Sequence, residues 1–177
     1  HYGVGHGDMN LSDALCRSCN VFFFQAGRTI GPESLVGWAD RFGFGKPTGI
    51  DLPHEHAGHL PTPDHSSSAR RSSSSARWYP GDTLGLAIGQ SRLTTTPLQI
   101  VRMMAVVAND GYLVTPHVVR SITSIDGDLQ DNRAFQIVPP HPRRRLTGLN
   151  DGTLARIREG LAKVVSHPKG TGYKRGR

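Results

Sequence analysis

No apolar run in this sequence comes near the roughly 20 residues that a helix needs to cross a bilayer, so it offers no bilayer-spanning helix. Aromatic residues are sparse at 7% and do not alternate with the basic ones. Nucleic-acid binding asks for a basic face interleaved with several aromatics, so that class of function is set aside. Neither an initiating Met nor a signal-peptide pattern is present; the chain opens on His1 and is expected to be a fragment of a longer protein. Its 177 residues amount to one domain, and an apolar content of 36% keeps it outside the disordered class. The net charge of +7 favours anionic neighbours such as nucleic acid, a membrane surface or a cell-wall polymer, without choosing among them. Much of that excess lies in Arg143-Arg144-Arg145 and in the ending KGTGYKRGR, so 166–177 reads as a solvated basic tail.

The pattern along the chain is helices first and strands later. Residues 1–9 are glycine-rich and read as a loop. Asn10 with Asp13 makes a helix start, and Leu11, Ala14 and Leu15 share a face. Asn20 is expected to cap a second helix, apolar nearly all round and therefore buried, which Gly31 ends. Pro32 and Glu33 open a third helix with a stripe of Leu35, Val36, Trp38, Ala39 and Phe42, stopped at Gly43. An extended, turn-rich run covers 44–53. Residues 54–77, with SSSARRSSSSAR, cannot bury apolar area and are expected to form a mobile surface loop in which His54, His56, His59 and His65 are solvated.

Order is expected to return at 78–90. Thr96, Pro97 and Gln99 make a capping box, after which Leu98, Val101, Met104, Ala105 and Ala108 are expected to be buried, with Gly111 as the stop. A β-branched run over 112–125, a turn signal at Asp126-Gly127 and a second strand over 129–138 predict a hairpin. Asn150 or Asp151 caps a last helix with Leu154, Ile157, Leu161 and Val164 or Val165 inward. The fold class is α+β.

Ser18-Cys19-Asn20 stands at the junction of the first two helices. A hydroxyl and a carboxamide two residues apart can face one cleft. The hydroxyl can pass a proton, and the amide can hold a substrate carbonyl with its N–H and a polar hydrogen with its oxygen. Alone, S-x-N is a chance pattern. Cys16 and Cys19 also form C-x-x-C, which with His1 and His6 suits zinc or thiol redox chemistry; because the flanking helices are apolar, two packed thiols are the plainer expectation.

The surroundings make S-x-N specific. HGDMNLSDALCRSCNVFFFQAG resembles the S-x-N region of class B penicillin-binding proteins, the elongation-type peptidoglycan transpeptidases. RFGFGKPTGIDLP, WYPGDTLGLAIGQ with LTTTPLQI, and AVVANDGYLVTPHVV resemble three further segments of that family in the same order. The resemblance implies a penicillin-binding transpeptidase / serine β-lactamase-like fold, present in part: the helical subdomain and some of the antiparallel sheet, with edges left open and marginal stability in isolation. It implies proton relay for Ser18 and binding of peptide or β-lactam for Asn20. The implied partners are the peptidoglycan stem peptide, β-lactams and the cell-wall elongation machinery. No cofactor and no nucleic acid are implied. The parent would be anchored in the bacterial inner membrane with this domain outside the cytoplasm.

The S-x-x-K nucleophile and base, due before S-x-N, are not in the sequence, and neither is K-T-G. Ser166-His167-Pro168-Lys169 spells S-x-x-K in the wrong order, with a proline that breaks the required helical turn. Lys169-Gly170-Thr171-Gly172 resembles the stretch that precedes K-T-G. Ser91 replaces the glycine expected after A-I-G-Q. This chain alone is therefore expected not to acylate. The alternative is a non-catalytic interaction module of the same fold, which the neighbouring nucleotides would distinguish from truncation.

Overall fold

The computed structural model describes residues 5–63, 78–123, 135–137 and 143–174. Its helices begin where local chemistry says they should. Asn10 accepts from the Asp13 N–H at 2.9 Å and starts α1, Leu11–Cys16. α2 runs Asn20–Ile30 and is closed by Gly31 at φ +85°. Asn20 is its first residue rather than its cap, and the cap, Cys19, makes no side-chain bond. Pro32 opens α3, Pro32–Arg41. A short helix not predicted from the sequence, α4 (Pro80–Ala87), is started by Asp82, which accepts from the Tyr79 N–H at 2.8 Å. The Thr96/Gln99 capping box opens α5, Pro97–Ala108. Asn150 accepts from the Thr153 N–H at 2.7 Å and caps α6, Asp151–Ser166.

The strands are shorter than predicted and differently paired. β1 (Tyr112–Leu113) pairs antiparallel with β4 (Arg144–Arg145), while β2 (Ser121–Thr123) pairs antiparallel with β3 (Phe135–Ile137). The single strand expected over 112–125 is thus split. Pro116 has no N–H to give, and the N–H groups of Val118 and Val119 go instead to the Asp51 carboxylate, both at 2.8 Å. The turn expected at Asp126-Gly127 lies outside the described residues.

Packing departs from expectation in two helices. α2 packs mainly against α4, with smaller contacts to α3 and α1, and is not enclosed. Gly27 meets Ala87 of α4, the three phenylalanines of α2 are half-buried, and Val21 and Ile30 are exposed. In α5 the expected inward residues Val101, Met104 and Ala108 are exposed; Gln99 and Val106 are buried, with Arg102 between them donating to the Val114 carbonyl at 2.7 Å. Val106 joins Leu113 and Leu146 in the core, with Phe42 and Leu149 against it. Leu154 of α6 is buried as expected, whereas Val165 is exposed. α1 packs along α6, the most extensive helix contact among the described residues.

Part of the expected mobile loop is tied down. Residues 54–63 are described, and His59 pairs with Thr94 through two backbone bonds of 2.8 and 2.9 Å; 64–77, with His65, lie outside the described residues. His54, His56 and His59 are exposed. Ser91 holds a left-handed backbone of the kind glycine favours (φ +81°), and its hydroxyl donates to Asp82 at 3.2 Å.

Glu55 clasps the T-G turn, accepting from the Thr48 N–H (2.7 Å), the Thr48 hydroxyl (2.6 Å) and the Gly49 N–H (3.0 Å). Burial pushes this carboxyl up, but the Thr48 and Gly49 donors outweigh it and leave the pKa below its ordinary 4.5. A lowered folded pKa gives stability that is complete above the unfolded value and lost as pH falls through the folded one. Urea midpoints should therefore hold at neutral pH and drop once the pH falls below that ordinary value. Glu55→Gln should be less stable at neutral pH and decline less steeply in acid; equal slopes would mean the clasp plays no part.

Candidate active site

The S-x-N stretch is shaped by the way α1 ends. The Ser18 N–H donates to the Leu15 carbonyl at 3.2 Å and the Cys19 N–H to the Ala14 carbonyl at 2.9 Å. These are the two bonds of a Schellman ending, which places Ser18 in the left-handed position (φ +51°). The ends of α3 and α4 make the same pair of bonds around Gly43 and Gly89. α1 alone of these three puts a side chain there, at a cost of about 1 kcal/mol or more. The effect is geometric: the hydroxyl is turned out of both helices.

Ser18 and Asn20 are exposed, and Cys19 between them is buried. Both polar side chains line one groove of about 750 Å³, together with His6, Arg17, Phe22 and Gln25. Asn20 stands at the first residue of α2, where freed N–H groups make the surroundings electropositive. The Ser18 Oγ lies 3.2 Å from the Thr171 Oγ1. Sequence reasoning singled out the K-G-T-G string but had no signal for this contact, which spans 153 positions.

Cys16 and Cys19 are both buried free thiols. The Cys16 Sγ–H donates to the Lys163 carbonyl at 3.4 Å, which ties α1 to α6. Ser166 ends α6 and its hydroxyl donates to the Ala162 carbonyl at 3.0 Å, while Lys169 lies in the following turn. The two therefore share no helical turn, as an S-x-x-K pair must.

The helices and small antiparallel strand pairs of the described residues, arranged as here, are part of the penicillin-recognising α+β transpeptidase fold. The chain belongs to the penicillin-binding protein transpeptidase-domain family, whose family model matches residues 1–177. It is 31% identical over 170 residues to the peptidoglycan D,D-transpeptidase MrdA of Escherichia coli K12, covering 96% of this chain and 25% of that protein. The penicillin-binding protein PBP2 of Helicobacter pylori superposes with a TM-score of 0.74 at 32% identity, over 96% of this chain and 28% of that one. The same protein in complex with MreC superposes at 0.71, with 32% identity and the same coverage of 96% and 28%. These relatives place the chain among elongation-type class B proteins. It spans about a quarter of the length of the curated relatives it matches.

Proposed function

We propose that this chain is the central part of the catalytic domain of a peptidoglycan D,D-transpeptidase. In that enzyme a serine hydroxyl attacks the last amide of a stem peptide and releases the terminal residue as its amine, and the acyl group then passes to the amine of a second peptide; a β-lactam acylates the same serine by opening its ring amide. Ser18 relays protons at the acylation centre, and the Asn20 carboxamide holds the peptide or β-lactam. The observation that carries this reading is that both side chains line one groove, with Ser18 held there by a strained backbone. No cofactor is needed for serine acyl transfer.

The S-x-x-K serine and lysine supply nucleophile and base in this family, and neither occurs ahead of Ser18 here. Losing the nucleophile from such a unit removes nearly all of the rate. The 177-residue chain alone is therefore inactive. The parent enzyme sits in the inner membrane with this domain outside the cytoplasm; among the described residues no helix is long and apolar enough to cross a membrane. Its partners belong to the elongation machinery, a reading supported by the MreC complex of the Helicobacter relative.

The test is labelling with a fluorescent penicillin. No covalent adduct is expected on the isolated chain, and an adduct there would overturn its inactivity. The full-length protein carrying this segment should be labelled at a serine outside it; an unlabelled, folded full-length protein would overturn the transpeptidase reading.

A further inference from the structure

Beyond α6 the chain turns back and lands against Ser18. The Gly170 N–H donates to the His167 carbonyl at 2.7 Å, closing a turn, and the Gly172 N–H donates to the Val164 carbonyl at 3.0 Å. Between them the Thr171 N–H donates to the Cys16 carbonyl at 3.2 Å, tying the turn to the end of α1. Gly170 makes the approach feasible, since a Cβ there would collide with the carbonyl oxygens of Val164 and Lys163. The stretch 170–172 of the expected solvated tail is thus bonded to the ends of α1 and α6, with Thr171 still exposed, and it delivers one hydroxyl to one place. That place is 3.2 Å from the Ser18 Oγ.

We propose that Thr171 is a positioning residue for Ser18, its hydroxyl fixing the direction in which the Ser18 hydroxyl presents its proton and lone pairs to the groove. The inference rests on the relay role proposed for Ser18. A serine hydroxyl is a free rotor with one proton and two lone pairs, and an unpartnered one points anywhere in its staggered wells. Threonine is suited to restrain it. Its β-branch limits χ1, and its backbone here is held at both sides, so the Oγ1 position is fixed by the main chain. Both hydroxyls are exposed, so the bond adds little to folding; its consequence is orientation.

The experiment compares acylation rate constants with a labelled penicillin, and melting temperatures, in the full-length protein. The variants are Thr171→Val, Thr171→Ser, Ser18→Gly and the pair Ser18→Gly with Thr171→Val. Thr171→Val should slow acylation about tenfold with a melting temperature within about 1 °C, and Thr171→Ser should recover to within about threefold of the parent. In the Ser18→Gly background, where glycine suits the left-handed position and the hydroxyl is gone, Thr171→Val should add nothing. Thr171→Val acylating at the parental rate would overturn the proposal. So would Thr171→Ser being as slow as Thr171→Val, which would mark a packing role for the methyl, or an equal loss in both backgrounds. Parental acylation by Ser18→Gly would overturn the relay role itself, a separate result.

Discussion

Replacing Gly160 with valine should separate α1 from α6 and cost the chain about 3 kcal/mol or more, the top of the range for overpacking a tight contact. At Gly160 an added Cβ would sit 2.8 Å from the Leu15 Cδ1, 2.9 Å from the Leu15 Cβ and 3.2 Å from the Ser12 Cα. The last two belong to the root of a side chain and to backbone, so a rotamer change cannot relieve them. The helices must move apart, and the bonds across the seam go with them. These are Cys16 to the Lys163 carbonyl and Ser12 to Glu159 at 3.3 Å, with Lys163 4.0 Å from Asp13 across the same seam. Because α1 sets the position of Ser18 and the end of α6 sets that of Thr171, the contact between their hydroxyls should be lost as well. A chain of this size has only about 5–15 kcal/mol in hand, so the effect is large. Urea unfolding followed by circular dichroism measures it. The control is Gly37→Ala on α3, where an added Cβ meets nothing within 4 Å; it should stabilise by about 0.5–1 kcal/mol through helix propensity alone. The same sign at both positions would show that the seam is not close-packed.

Where the code is local, the sequence could be read. Asn10 with Asp13, Thr96 with Gln99, Asn150, Gly31 and Gly43 each act on a backbone group within a few positions, and each ends or starts a helix as expected. α4 escaped because eight residues holding a proline and two glycines carry no periodic stripe. The inward face of α5 was misread for a different reason. Its true stripe is Gln99, Arg102 and Val106, at helical spacing but with two polar members, while a more apolar stripe through Val101 and Met104 runs along the exposed side. Hydrophobic periodicity cannot find a face whose work is hydrogen bonding. The site divides in the same way. That Ser18 and Asn20 would share a groove was legible through the run that carries them, but the left-handed backbone of Ser18 was not, because glycine is the residue that announces it. The contact of Thr171 with Ser18 was out of reach entirely, since it joins the ends of two helices 153 positions apart.

Gln99→Leu should be the second most damaging change, lowering stability by about 3 kcal/mol. The side chain is 1% exposed and acts as a three-way connector. Its Nε2 donates to the carbonyls of Lys46 and Ala57, both at 2.8 Å, and its Oε1 accepts from the Thr96 N–H at 2.9 Å. Leucine has nearly the same volume, so no cavity opens. The loss is of partners: two carbonyls and one N–H are left facing apolar atoms, each costing about 1–3 kcal/mol if fully dry and less where water can enter. The run 44–60 should then lift from α5, and the His59 and Thr94 amides, which now bond each other's carbonyls, should exchange with solvent faster. Gln99→Glu separates hydrogen bonding from shape. A carboxylate there would face two carbonyl oxygens with no hydrogen to offer, so its pKa should rise in the folded state. A raised carboxyl pKa means that the variant recovers part of its deficit as pH falls and the acid regains one donor. Gln99→Leu should show no such recovery. Melts at pH 7.5 and pH 5 with hydrogen exchange at both amides read these outcomes. Parental melting of Gln99→Leu with unchanged exchange at His59 would mean that the run 44–60 is held by something other than this side chain.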